Sequence, residues 1–599
     1  MSHRLVFCER EKYLSPYLKN IFLDERSSWN ISESLKKKYF IHNDYNEIFL
    51  FKNREKNFEY CEIIFKNILK DLSFFLNKKH NLKWSIKSWE ILIGFWLRKF
   101  IYIVFYNYNL IKFIINNYDI KEVTLAHTDY DMYCSQESSY IQDLSINKDW
   151  LFLLRTQIFN EIKDEKKSIK EIKFLIQNNK DFFFSRETFY KKFKNNQSFK
   201  SKMLVCFSYL LKPFCKKNNG LILSSYLNLF DEKILELTMG QTPFFYKPKK
   251  IKYDFPNIYL RENLSKIFLS KNASNFEKVL RKLLFKYLPI FILENFNDLI
   301  KMSDQLGFPK EPKFIFTSNS FESDELFKVY LSKKKYEIKN LKYFVGQHGN
   351  SYITRIDNNY QNEVKTCDFF FSWGNFPYKK VNIISTFNFK NTSYKRINKA
   401  NINNYYLYFI LRSSGYQTVP YDRFSEGKAE YDLFKNVARS LPKNIKKIIR
   451  IKPHYNSFTN QNNFLSNVIS KDLSDFKIIT EKYSQIINNS KLICFCYDST
   501  GFLENLAMGI PCVCLMPNYL NHLNDDVKHV YINLKKVNLI FDSKKAFCDF
   551  INSKWNRLGE WWSSAEVQDA INDYLYNFSS PVPHEPLKFL KNKIEENLL

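Results

Sequence analysis

The sequence predicts an α/β fold of parallel sheets, and three observations predict it. The first is the segment Lys491–Leu515, KLICFCYDSTGFLENLAMGIPCVCL. Lys491–Cys496 alternates as a buried strand does and ends in Tyr497-Asp498-Ser499-Thr500-Gly501. Phe502, Leu503, Leu506 and Ala507 are then spaced for one helix face, and after Gly509 the run Ile510–Leu515 is a second strand. The second observation is that strand–helix alternation recurs along the chain, which implies parallel sheets with right-handed crossovers. The third is length: 599 residues exceed one small core and point to two α/β domains with additions.

In chain order, Arg4–Cys8 and Asn20–Leu23 read as short strands. Glu55–Asn117 reads as helical and aromatic, with Trp84, Trp89 and Trp96, and suits a layer on a sheet. Glu122–His127 is a strand leading into His127-Thr128-Asp129-Tyr130-Asp131, with helical spacing beyond. Glu161–Lys217 has no clean periodicity and reads as an insertion of helices. Gly220–Ser224 is a strand, Asp231–Met239 a helix and Glu277–Leu299 one long helix. Lys313–Thr317, Lys342–Gly346, Phe369–Ser372 and Val381–Ser385 are strands, with a helix at Glu322–Lys333. The polar, Asn-rich stretch Asn388–Asn404 reads as the linker to a second unit. There, Tyr405–Leu411, Lys446–Ile451, Phe476–Thr480 and the opening segment supply strands. Trp561, Trp562 and the helical pattern Ala565–Phe578 come last. The expected division is 1–390, 404–560, and a helical tail, 561–599, that packs back on the first unit.

Composition narrows the function classes. Apolar residues make up 45%, which suits large cores. The net charge of +29 favours an anionic partner, although a chain crowded with Lys, Asn, Ile, Phe and Tyr also reads as compositional bias. The basic residues are dispersed, without an arm or an RNP-type motif, so nucleic acid is not the expected partner. A basic surface does suit peripheral association with anionic lipid at the inner membrane. The 11 cysteines include no C-x-x-C; Cys494/Cys496 and Cys512/Cys514 are i, i+2 pairs in strands, so a reducing cytoplasm is expected, with neither a disulfide framework nor a zinc site. The N-terminus lacks a signal-peptide core, and Arg98, Lys99 and Lys112 interrupt the most apolar stretch, Ile91–Asn117, which reads as a buried or interfacial helix. There is no G-x-G-x-x-G after a strand, no Walker A, no H-E-x-x-H and no G-x-S-x-G.

Ligands of parallel sheets bind beyond the C-terminal strand ends. Arg412, Lys452 and His454, and Asp498–Thr500 follow three separate strands of the second unit. Two cations, an imidazole and two hydroxyls at a helix N-terminus suit a nucleotide's phosphates, and Glu504 lies one turn further on, within reach of ribose hydroxyls. Taken singly, Ser499 and Thr500 read equally as an N-cap, Glu504 as a solvated residue and Arg412 as a carboxylate's partner. Their joint placement favours binding. In the first unit, Gly346-Gln347-His348-Gly349 is a tight turn with His348 at its tip, placed as a base or a phosphate donor, or else as a structural histidine. His127 and Asp131 follow an earlier strand and can face an acceptor, with a structural role equally open.

These residues resemble a glycosyltransferase of GT-B architecture, two Rossmann-like doubly wound domains facing a cleft. Asp498-Ser499-Thr500-Gly501-Phe502-Leu503-Glu504 with Gly509-Ile510-Pro511 is similar to the nucleotide-binding stretch of such enzymes. Gln347-His348-Gly349, Lys452-Pro453-His454-Tyr455 and Tyr497-Asp498-Ser499-Thr500 together resemble teichoic-acid glycerophosphotransferases and capsule or Kdo-type transferases. Over nearly its full length the chain is similar to a transferase family of O-antigen and other surface-polysaccharide loci. The residues carrying that likeness also include Trp89–Leu97, Phe371-Ser372-Trp373-Gly374 and Trp561-Trp562, while Lys452 replaces the more usual arginine of Arg-Pro-His.

The resemblance implies transfer of a sugar or sugar acid from a nucleotide-activated donor to a glycan or lipid-linked glycan. Ser499, Thr500 and His454 would contact donor phosphate, and His348 would have a catalytic or phosphate role. No cofactor or metal is required if these groups receive the leaving charge. A polyol-phosphate transferase using a CDP-linked donor and a non-catalytic scaffold of a glycan-assembly complex are the alternatives.

Overall fold

The computed structural model describes residues 2–8, 10–23, 37–39, 41–42, 53–128, 134–163, 168–176, 214, 216–246, 249, 251–350, 352–377, 382–393, 405–412, 419–421, 423–453 and 473–598. Their named strands form three sheets, and every strand pairing is parallel. The first holds β1 (His3–Val6), β2 (Lys19–Phe22), β3 (Ile41–His42), β4 (Ile120–His127) and β5 (Lys170–Leu175) in the order β3-β2-β1-β4-β5. The second runs consecutively through β6 (Leu221–Leu223), β7 (Phe314–Thr317), β8 (Lys342–Gly346), β9 (Phe369–Ser372) and β10 (Ile383–Ser385). The third holds β11 (Tyr406–Ile410), β12 (Ile449–Lys452), β13 (Lys477–Ile478), β14 (Ser490–Phe495), β15 (Cys512–Leu515) and β16 (Ile540–Phe541) in the order β13-β12-β11-β14-β15-β16. That is the doubly wound Rossmann order, with its switch point between β11 and β14.

The α/β class with parallel sheets is as expected, but four details differ. Residues 1–390 carry two sheets, and the second of them has no switch point, because strand–helix alternation does not encode lateral order. The stretch 161–217, read as inserted helices, contributes β5, which pairs with β4 from Glu122↔Lys170 to His127↔Leu175. Its charged residues reflect its place at the sheet edge, where none of them is buried. The stretch read as one helix, 277–299, divides into Asn275–Tyr287, Ile290–Leu293 and Phe296–Asp304. Pro289, which lacks an N–H, stands at the first break. The linker begins later than Asn388: Phe387 and Phe389 are fully buried, and Phe389–Ser393 forms a 3-10 helix.

The helix Ile86–Asn117 binds the first two sheets together. Ser85 caps it by accepting the Ser88 N–H, and it is buried on nearly all sides. It packs against Arg54–His80, Lys148–Ile162, Asn275–Tyr287 and Glu325–Glu337. Its buried Arg98 is matched by Glu62 at 3.1 Å and Glu90 at 2.6 Å, and it donates to Asn362. Among the described residues no helix is long and apolar enough to cross a membrane.

The last two helices tie the third sheet to the second. Ala565–Phe578 packs on Thr500–Met508 and Lys528–Lys536. Where it ends, the Asn375 N–H donates to the Tyr576 carbonyl (3.0 Å), Phe376 N–H to Asn577 (3.1 Å) and Ser580 N–H to Trp373 (2.7 Å). Gly374 permits this approach, since a Cβ there would overlap the Asn577 carbonyl. Pro586–Glu596 then lays Leu590 and Ile594 on the second sheet, in one cluster with Phe314, Phe316, Phe344 and Phe371.

Candidate active site

The second and third sheets meet at their C-terminal strand ends. After β8 come Gln347, His348, Gly349 and Asn350. Gln347 is only 4% exposed, and it braces the loop by donating to the Gly349 carbonyl and accepting the Trp373 N–H, both at 2.9 Å. Gly346 meets a packing demand rather than a turn: a Cβ there would overlap Ser318 Oγ. His348 lies among the rings of Tyr352 (5.2 Å), Tyr226 (5.7 Å) and Phe321 (5.8 Å). Burial, helped by the Lys390 charge, lowers its pKa to about 4, while a bond to the Ser318 carbonyl works the other way. The imidazole is therefore neutral at physiological pH. The Tyr352 hydroxyl stands 2.9 Å from His348 Nδ1 and donates to Glu363 Oε1 at 2.6 Å.

Across from it, β14 ends in 496–499 and the helix Thr500–Met508 begins. The Ser499 hydroxyl caps that helix by accepting the Phe502 N–H at 3.1 Å. Thr500 Oγ1 accepts the Asn350 N–H at 3.0 Å, so the two loops touch directly. Asn350 Nδ2 donates to Asp498 Oδ1 at 2.7 Å, and Tyr531 donates to Asp498 Oδ2 at 2.9 Å. Burial raises Asp498 to about 6, and these donors together with the Arg355 charge oppose it.

Glu504, one turn into the helix, faces Lys390 at 4.0 Å, and its carboxyl is pushed up by burial. The Lys390 ammonium lies 4.6 Å over the Tyr226 ring, with 38% of the side chain exposed. Arg412 follows β11 at the switch point and pairs with Glu430 at 3.0 Å. Lys452 ends β12 and donates to the Glu481 carbonyl at 2.5 Å. His127 is exposed at the end of β4, and no hydrogen bond or ring contact among the described residues joins it to the His348 cluster. His454 and Asp131 lie outside the described residues. The structure thus brings His348, Thr500, Ser499 and Glu504 to one place and sets Arg412 and Lys452 along the rim of the third sheet.

Five residues that sequence reasoning missed complete the cluster. Asn350 directly follows the histidine loop. Tyr226 follows β6 at a strand end like the others, with a left-handed backbone (φ 69°). Lys390 was hidden inside the stretch read as a linker. Tyr352 and Glu363 carry no spacing signal, since only tertiary packing puts them beside His348. No group of three or more His, Cys, Asp or Glu among the described residues is placed to hold a metal ion. Chemically, the cleft offers a neutral imidazole able to take a proton, and a cation beside a helix N-terminus able to receive negative charge.

A sequence profile described as LIC12162 family transferase matches residues 28–594. The chain belongs to this transferase family. It is accordingly an enzyme that moves a chemical group between two substrates. No curated protein matches the chain. Among solved structures it is similar to a glycosyltransferase from Rickettsia africae ESF-5, with 12% identity over 64% of this chain and 98% of that one (TM-score 0.32). It is also similar to a spinosyn rhamnosyltransferase in complex with spinosyn aglycone, with 8% identity over 63% of this chain and 100% of that one (TM-score 0.29).

Proposed function

We propose that the chain is a glycosyltransferase that moves a sugar or sugar acid from a nucleotide-activated donor to a surface-polysaccharide acceptor, of the O-antigen, capsule or lipopolysaccharide kind. The observation that carries this reading is the contact of the His348 loop with Thr500, beside the switch point of a doubly wound sheet. A nucleotide's phosphate placed at the start of Thr500–Met508 would meet that helix's dipole, the Thr500 hydroxyl and the Lys390 ammonium. Ser499 contributes there by shaping the helix start. Arg412, Lys452 and His454 extend the donor side along the third sheet, and Glu504 receives ribose hydroxyls. His348 takes the proton of the acceptor hydroxyl. Gln347 holds the histidine loop, and His127 and Asp131 belong to the acceptor side. The enzyme works in the cytoplasm, at the inner membrane surface, on a lipid-linked or glycan acceptor.

Thermal-shift titration with CMP-, CDP-, UDP- and GDP-activated donors tests the reading. One nucleotide class should stabilise the protein, and its sugar should then be transferred by the wild type and not by His348→Ala. Stabilisation by CDP-glycerol alone would move the reading to polyol-phosphate transfer. A protein that responds to none of these donors is not a nucleotide-sugar enzyme.

A further inference from the structure

Away from the cleft, the outward face of the helix Arg54–His80 mixes cations with apolar side chains left in solvent. Its inward face buries Phe58, Phe65, Ile68, Leu72 and Leu76 and packs on Ile86–Asn117. Outward, Ile63, Lys66, Lys70, Phe74 and Lys78 are all exposed and recur every three or four residues, so they form one stripe. Phe74 is 76% exposed and Ile63 59%. The surface continues at the end of the helix Ile258–Ile267. There Ile267 is 76% and Leu269 48% exposed, beside exposed Lys266 and Lys271. Arg281 joins the two parts, since it pairs with Asp71 at 2.7 Å and lies 5.0 Å over the Phe268 ring. Phe285 meets both Phe75 and Phe268 at 5.1 Å beneath them.

We propose that this face docks the enzyme on an anionic lipid surface. The lysines meet lipid phosphates, and Ile63, Phe74, Ile267 and Leu269 enter the headgroup layer. The proposal rests on the reading of a lipid-linked acceptor at the inner membrane surface. Charge complementarity carries it. Among the described residues no ion pair takes up Lys66, Lys70, Lys78, Lys266 or Lys271. Asp71 is the one exposed acid in 63–81, and Arg281 already neutralises it; Glu262 is the exposed acid on Ile258–Ile267. A single exposed apolar side chain is ordinary, but apolar side chains interleaved with unpaired lysines on one face match a headgroup layer over an acyl boundary. A nucleic acid would use the lysines and leave Phe74 and Ile267 nothing to enter. The face is also long and rigid. The helix has 27 residues, about 40 Å at the usual rise. Arg54 pairs with Glu426 at 2.6 Å and Asn57 donates to the Pro420 carbonyl at 3.2 Å, which ties its first turn to the unit of the third sheet. Docking this face therefore sets the cleft at one height and angle to the lipid, as an acceptor anchored by its lipid end requires.

The test is sedimentation of the full chain with vesicles of phosphatidylcholine alone and of phosphatidylcholine mixed with phosphatidylglycerol. The wild type should bind the mixed vesicles only, and added salt should weaken that binding. Lys66→Glu/Lys70→Glu/Lys78→Glu should lower vesicle affinity about tenfold or more. Phe74→Ser/Ile267→Ser should lower it too, while the salt dependence stays. Melting temperatures near wild type would show that both variants fold. Wild-type protein that ignores both vesicles, or binds them equally, overturns the proposal, and so do folded variants that bind as wild type does. Retention by duplex DNA in place of vesicles, unaltered by Phe74→Ser/Ile267→Ser, overturns the lipid assignment. A chain that docks on mixed vesicles but is stabilised by no nucleotide-activated donor keeps this face and loses the proposed transfer. A chain stabilised by a donor but indifferent to vesicles loses only the face.

Discussion

The loop after β8 and the loop after β14 both end a buried parallel strand, yet burial pushes their ionisable groups in opposite directions. His348 is held neutral, with a pKa near 4, and Asp498 is raised to about 6. The polar groups differ in use as well. On the β14 side Ser499 caps a helix, Thr500 accepts a backbone N–H, and Asp498 takes two donors. On the β8 side His348 faces a cation, two aromatic rings and a tyrosine that is itself held by a buried carboxylate. The β14 loop spends its polar groups on framework bonds, and the β8 loop holds a buried, neutral imidazole. A strand end therefore marks where polar groups gather, while the contacts behind each side chain decide its charge.

The most severe break of this contrast is His348→Ala, which should lower kcat by about 10²- to 10⁴-fold while donor-induced stabilisation persists. Loss of donor binding instead would recast His348 as a phosphate ligand. Next comes Lys390→Ala, expected to raise donor KM by about tenfold or more, since a charge-assisted contact is lost. Arg412→Ala and Lys452→Ala should cost less, because each already shares its charge with Glu430 or the Glu481 carbonyl. A larger effect at Arg412 would shift the donor towards β11.

The two loops should also pull stability in opposite senses on acidification. Between the ordinary histidine value and about 4, the unfolded chain binds more protons at His348, so this site loses stability as pH falls. Between about 6 and the ordinary carboxylate range the folded chain binds more at Asp498, so that site gains. Melting temperatures from pH 6.5 to 4 should therefore fall more steeply than wild type in Asp498→Asn and less steeply in His348→Gln. Parallel curves would remove the contrast. The smallest effect is Ser499→Ala, which should cost about 1 kcal/mol of stability as a lost cap. A fall in donor affinity beyond that loss would give the hydroxyl a direct hold on phosphate.

Much of the third sheet was legible because its central strands β11, β14 and β15 are buried on both faces and its turns are sharp, as at Cys512–Leu515 after Gly509. The histidine loop and the Thr500 turn could be found for the same reason, each being a polar break after an apolar run. The first sheet was harder to see. β3 is two residues long, and β5 is an edge strand whose charged positions mask alternation. Lys390 was lost to its neighbours, since an Asn- and Lys-rich stretch reads as solvated chain even where Phe387 and Phe389 anchor it. Tyr352 and Glu363 acquire meaning only once Arg98 and Gly94 of a distant helix set Asn362–Thr366 against the loop, a relation no local pattern encodes.

The placement of Pro586–Glu596 bears on how the chain is made. The ribosome finishes the second sheet long before it delivers the helix that covers Phe314, Phe316, Phe344 and Phe371. During synthesis of the whole third sheet that aromatic face is covered only in part, by Leu227, Leu235, Phe387 and Phe389 of the same cluster. A message cut short after the third sheet would leave the part of that face under Leu590 and Ile594 open to solvent, an apolar patch by which cellular quality control recognises an unfinished chain.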